Sequence, residues 1–241
     1  MDDNQGIDLL EVRRKYNRLD RIWAADDPWH MRVSRRYDQE IHVFLDEYNN
    51  KDRTIVNIGS GDKVYTTNAF LINIDISEKF LGIHSNPICA SANALPLKAG
   101  ASDAVICIGS VINYCDAIEV ISEISRILKP GGKALVEFES SESFEYYGSA
   151  HFGKISTIVN TKYGNADERI WLYKPSYIKE IASAVDMQIL STVRIHTLTS
   201  IVYRIIKNER ISSAFCVFDR VVARTPIAKY SANAIFVCQR L

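Results

Sequence analysis

The spacing of apolar positions changes along the chain, and each change marks an element. Over residues 8–23, Leu9, Val12, Tyr16, Leu19 and Trp23 recur every three or four positions, one stripe on a helix otherwise rich in charge. Asp26-Asp27-Pro28 interrupts it, and Tyr37, Ile41, Phe44, Leu45 and Tyr48 then predict a second helix over 34–48. Short apolar runs follow at 55–58, 70–74, 88–90, 104–109 and 134–138, each bounded by turn residues, and read as strands. Between the last two, Ile118, Ile121, Ile124, Ile127 and Leu128 form the buried face of a helix over 117–128, and Asp116 with Glu119 makes a start resembling a capping box. Strands alternating with helices predict an α/β fold built on a mostly parallel sheet.

Beyond residue 140 the alternation loosens. Residues 140–152 are polar and aromatic. Residues 155–162 and 169–174, joined through Gly164-Asn165-Ala166-Asp167, predict an added antiparallel hairpin. A helix over 175–187 and a strand over 188–195 resume the alternation. Residues 199–224 read as helical and basic, with Arg204, Lys207, Arg210, Arg220 and Arg224 against Glu209 and Asp219, in the first place a solvated face. A closing strand is expected over 233–239.

With 241 residues, 47% apolar and 24% charged, the chain is expected to form a single domain. Its formal net charge is zero, which gives no bulk attraction to nucleic acid. Five widely spaced cysteines read as free thiols in a reducing cytoplasm, and no apolar run approaches the length of a membrane span. Neither histidine nor cysteine occurs at metal-ligand spacing, so no metal is expected. His84 reads as a solvated loop side chain.

The candidate chemistry lies at 55–75. A strand runs into Gly59-Ser60-Gly61, where the backbone can turn tightly, and a second strand ends on Asp75, whose carboxylate can accept both hydroxyls of a ribose. Only fourteen positions separate Gly61 from Asp75, so the first crossover helix must be short or missing, which argues against a dinucleotide site.

These features, followed by ANALPL at 92–97, SDAVICIGSV at 102–111 and ISEISRILKPGGKALVEF at 121–138, resemble the class I methyltransferases that use S-adenosylmethionine. The resemblance covers about 54–139 and implies a Rossmann-like methyltransferase fold. A seven-stranded, mostly parallel sheet would have its last strand antiparallel beside the fifth, with an N-terminal helical lid and the inserted hairpin. It also implies a layout: helices over 1–50, a cofactor-binding core over 54–139, an acceptor insert with the hairpin over 140–174, and the remainder of the sheet over 175–241. By position Gly59, Ser60, Gly61, Asp75, Ile76, Ser91, Ala92, Gly109 and Ser110 are expected to hold the cofactor. Tyr16 would reach it from the lid, where Trp23, Trp29 and His30 are further candidates. Lys63 stands where the family usually has a third glycine, and Ser91 where it often has an aspartate. Asn113, Tyr114, Tyr146, Tyr147 and His151 are the acceptor-binding candidates, with His151 and Tyr114 the candidate bases.

The function this implies is methyl transfer to an O or N atom of a small-molecule acceptor, by a monomer or homodimer. A catalytically silent binding protein of the same fold and an RNA methyltransferase are the alternatives. The second lacks an NPPY-like motif or an added RNA-binding module.

Overall fold

A computed structural model describes residues 6–22, 27–163 and 166–241. Its centre is a seven-stranded sheet in the order β3-β2-β1-β4-β5-β9-β8, formed by β1 (Thr54–Ile58), β2 (Phe70–Asp75), β3 (Pro87–Cys89), β4 (Ser102–Cys107), β5 (Leu128–Glu139), β8 (Met187–Ile195) and β9 (Asn233–Arg240). β1 to β5 are mutually parallel, and β9 enters antiparallel between β5 and β8. The expected closing strand therefore lies beside the fifth. A separate hairpin of β6 (Ser156–Tyr163) and β7 (Ala166–Tyr173) makes a second sheet, as the sequence pattern predicts.

Alternation in the strands sends side chains to two faces. Val56, Ile58, Ile72, Ile74, Val105 and Cys107 meet α4 (Ala117–Ile127) and α5 (Pro175–Ala184) on one side. On the other, Ile55, Leu71, Ala104 and Ile106 pack against Tyr37, Ile41, Phe44 and Leu45 of α2 (Pro28–Glu47). That helix begins six residues earlier than its apolar stripe suggests. The Asp27 side chain accepts from the His30 amide at 3.0 Å, and Pro28 occupies the first turn. The apparent breaker is thus an N-cap followed by a proline whose missing N–H costs the helix nothing there.

α1 (Leu9–Arg18) also ends sooner than expected, and Trp23 lies outside the described residues. Between β1 and β2 no helix forms, so the crossover is a turn and an extended run. A four-residue helix, α3 (Glu78–Leu81), follows β2. The predicted basic helix divides into α6 (Thr197–Ile206), α7 (Glu209–Ala214) and α8 (Cys216–Val222). Lys207 takes the left-handed conformation that ends α6, and Asn208 caps α7 through the Ile211 amide.

Candidate active site

The turn after β1 is set by its glycines. Gly59 and Gly61 have φ of +68° and +57°, and the amides of Gly59 and Ser60 donate to the Ile74 carbonyl at 2.7 and 3.1 Å. A β-carbon on Gly59 would stand 2.1 Å from Val111 Cγ2, and one on Gly61 2.6 Å from Ile22 Cδ1. Both positions exclude side chains on two counts. From the end of β2, Asp75 accepts the Gly61 amide on Oδ2 and the Ser77 amide on Oδ1, each at 2.8 Å. His84, expected in solvent, is instead buried, with Nε2 2.8 Å from the Gly61 carbonyl, where it braces the same turn.

Around this turn, at the carboxyl ends of β1, β2 and β4, opens a crevice of about 970 Å³, mouth included. Gly59, Ser60, Gly61, Asp75, Ile76, Ser91, Ala92 and Gly109 line it, with Tyr16 and Tyr114. Two observations fit an alcohol-bearing nucleoside. The Asp75 carboxylate, with about four acceptor positions, uses two on backbone amides and keeps the others. Ser60 Oγ is buried at the crevice wall and has no hydrogen-bond partner among the described residues. Burial raises the Asp75 pKa, opposed by its two amide donors, so the site is low in dielectric and any further donor is strengthened.

α1 crosses the crevice as its roof, placing Leu9, Val12 and Tyr16 in the lining. Tyr16 Oη donates to Tyr114 Oη at 3.0 Å, and Ser77 Oγ donates to Asn17 Oδ1 at 2.8 Å. Arg13 pairs with Glu78, and Lys15 with Glu168. Lys63 does not obstruct the turn: it pairs with Asp38 of α2, which also accepts from Tyr65 Oη at 2.9 Å.

A second cavity of about 730 Å³, its open mouth included, adjoins the crevice and shares Tyr37 in its wall. Its lining includes Ser110, Glu139, Glu145, Tyr146, Glu168 and Tyr203. Tyr114 stands on the crevice side and donates its phenolic proton to Glu168 on the other. Burial, with the nearby Tyr16 and Glu168 oxygens, raises the Tyr114 pKa well above that of a free phenol, which favours its protonated, donating form. Behind the cavity, buried Glu137 accepts the Gly109 and Ser110 amides at 3.1 and 2.6 Å and Asn233 Nδ2 at 2.9 Å, fixing the turn after β4.

Several site expectations change. Ser110 faces the second cavity, and its hydroxyl donates to Glu139 at 2.9 Å. Asn113 is fully buried: it donates to the Trp171 carbonyl at 2.6 Å and accepts the Glu139 amide at 3.0 Å, tying β5 to β7. Tyr147 is 56% exposed and packs its ring near Phe144 and Phe152. His151 contacts Thr157 Oγ1 at 3.1 Å and lines neither cavity. The Gly153 amide bonds back to the Ser141 carbonyl at 2.8 Å, so the 147–153 loop turns away. Trp29 and His30 line the second cavity and not the crevice. Sequence reasoning missed Glu139 and Glu145. The signal for the first was a pair of glutamates, Glu137 and Glu139, in a strand that is otherwise apolar and central in the sheet.

Sheet order, glycine turn and strand-end acid together define a Rossmann-like methyltransferase fold. Residues 56–136, about a third of the chain, match the family model described as a methyltransferase domain. An uncharacterized protein of Methanocaldococcus jannaschii is 31% identical over 112 residues, 44% of this chain and 49% of that one. The ubiquinone/menaquinone biosynthesis C-methyltransferase of Wigglesworthia glossinidia brevipalpis is 28% identical over 117 residues, 40% of this chain and 47% of that one. The chain thus spans about half the length of the curated relatives it matches. Among solved structures, geranyl diphosphate C-methyltransferase from Streptomyces coelicolor, in complex with Mg²⁺, geranyl-S-thiolodiphosphate and S-adenosyl-L-homocysteine, superimposes with a TM-score of 0.59 at 14% identity, over 96% of this chain and 97% of that one. That likeness is one of fold; a 1,6-didemethyltoxoflavin-N1-methyltransferase from Burkholderia thailandensis, likewise solved with S-adenosylhomocysteine, superimposes with a TM-score of 0.54 at 9% identity, over 96% of this chain and 84% of that one.

Proposed function

We propose that this chain transfers the methyl group of S-adenosylmethionine to a nitrogen or oxygen atom of a small molecule held in the second cavity. The observation that carries the reading is the adjoining pair of spaces: a crevice around Gly59–Gly61 and Asp75, and a separate cavity that shares Tyr37 with it. When bound, the cofactor supplies an already activated methyl group. The chain must hold the acceptor in line and keep water out. Asp75 and Ser60 would hold the sugar hydroxyls and the polar end of the cofactor, and α1 would close the mouth. No protein nucleophile is required. The five free cysteines accord with a cytoplasmic setting.

Titration calorimetry with S-adenosylhomocysteine, beside transfer of labelled methyl to a panel of amines and alcohols, tests this. Binding by the wild type that Asp75→Ala loses is expected. Absence of wild-type binding would overturn the reading.

A further inference from the structure

The second cavity has a composition that selects its occupant. Its walls carry four carboxylates, Glu139, Glu145, Glu168 and Glu209, and the aromatic rings of Trp29, Tyr146 and Tyr203. Glu168 is committed to Lys15 and Tyr114. Glu139 has one oxygen engaged by Ser110.

Glu145 is the more telling. It is partly buried, its carboxyl desolvated in the cavity wall, and among the described residues that carboxylate has neither a hydrogen-bond nor an ion-pair partner. The nearest cations, Lys207 and His30, act on it only at a distance. Lys207 lies over the Tyr203 ring, 5.3 Å from its centroid, and His30 bonds to Asp27 at 2.5 Å. Lys162, also in the wall, is exposed and faces Asp167. A partly buried carboxylate left unpaired carries a desolvation cost that a cationic ligand would offset.

The rings supply the complementary surface. Trp29 and Tyr203 are 5.4 Å apart between centroids at 57°, so their faces form two sides of a corner. Trp29 is held by the buried ring of His196 at 4.2 Å, edge to face. Burial pushes His196 down to about 3, so it is neutral and adds no charge to compete. Aromatic faces around a cation, with carboxylates behind them, are a recognised way to bind an ammonium group.

Resting on the methyltransferase reading above, we propose that the acceptor is an organic cation, an alkylammonium compound whose charged nitrogen sits between Glu145 and the Trp29–Tyr203 corner. An inorganic cation is disfavoured, because among the described residues no three His, Cys, Asp or Glu side chains converge to hold a metal ion.

The test uses the full chain saturated with S-adenosylhomocysteine, and two probes of nearly equal shape. Choline carries a quaternary nitrogen where 3,3-dimethylbutan-1-ol carries carbon. Calorimetry and quenching of Trp29 fluorescence, assigned with Trp29→Phe, read their binding. Choline should bind at least tenfold more tightly than the alcohol, and Glu145→Gln should remove that preference while leaving affinity for S-adenosylhomocysteine unchanged. Equal binding of the two probes, or preference retained in Glu145→Gln, would overturn the proposal. So would tight binding of pyrophosphate with Mg²⁺ but not of choline. Failure of S-adenosylhomocysteine to bind would instead overturn the methyltransferase reading.

Discussion

Replacing Glu145 with glutamine should stabilise the protein, and by an amount that depends on pH in a defined direction. Burial, with Glu209 adding to it and Lys207 and His30 opposing it, raises the Glu145 carboxyl from 4.5 to about 7. A group whose pKa is higher folded than unfolded gives stability that is complete below the unfolded value and is lost as pH rises through the folded one. The window therefore runs from about pH 4.5 to about pH 7. Across it, roughly 2.5 units at about 1.4 kcal/mol each correspond to about 3–4 kcal/mol lost from the wild type. Glutamine does not titrate, so Glu145→Gln should gain about 3 kcal/mol relative to wild type between pH 5 and pH 8. Removing this charge also relieves Glu139, pushed up to about 8 by its own burial and by its acidic neighbours. The double difference thus reads the pair. Urea denaturation of both proteins at the two pH values measures it. A variant whose stability tracks wild type at both, within about 0.5 kcal/mol, would show that Glu145 is solvated and would refute the reasoning.

Asp75→Ala should weaken S-adenosylhomocysteine binding by about a hundredfold, roughly 3 kcal/mol for an acceptor shared by charge-assisted hydrogen bonds, measured by calorimetry. Unchanged affinity would remove Asp75 from the site. Gly61→Ala forces a β-carbon into a left-handed residue and against Ile22 Cδ1, and should lower stability by about 1–3 kcal/mol; adding Ile22→Ala should recover part of it in thermal denaturation. Asp219→Ala removes the acceptor for the Leu198 and Thr199 amides and the Thr199 hydroxyl at the start of α6. It should cost about 2 kcal/mol while affinity for S-adenosylhomocysteine stays at the wild-type value.

The strands were legible as short apolar runs separated by turns, their arrangement only through the methyltransferase resemblance, and the crevice because Gly59, Gly61 and Asp75 lie within seventeen positions of one another in sequence. The acceptor side was not legible. Glu139, Glu145 and Tyr203 come from three separate segments, and only the packing of α6 against the 144–146 turn brings them to one space. Histidine chemistry misled for the same reason. His151 and His84 differ in what they touch, not in anything their neighbours in sequence reveal.

The turn that replaces a helix between β1 and β2 has a consequence for how this domain could be trimmed. The sheet face a crossover helix would shield is covered by α2, which precedes β1, with Asp38 fastened to Lys63 and Tyr65. Roof and wall therefore belong to one leading segment. A fragment cut to the 56–136 core should expose Leu71, Ala104 and Ile106 to water and fold poorly, so a stable fragment is expected to begin at or before Asp27.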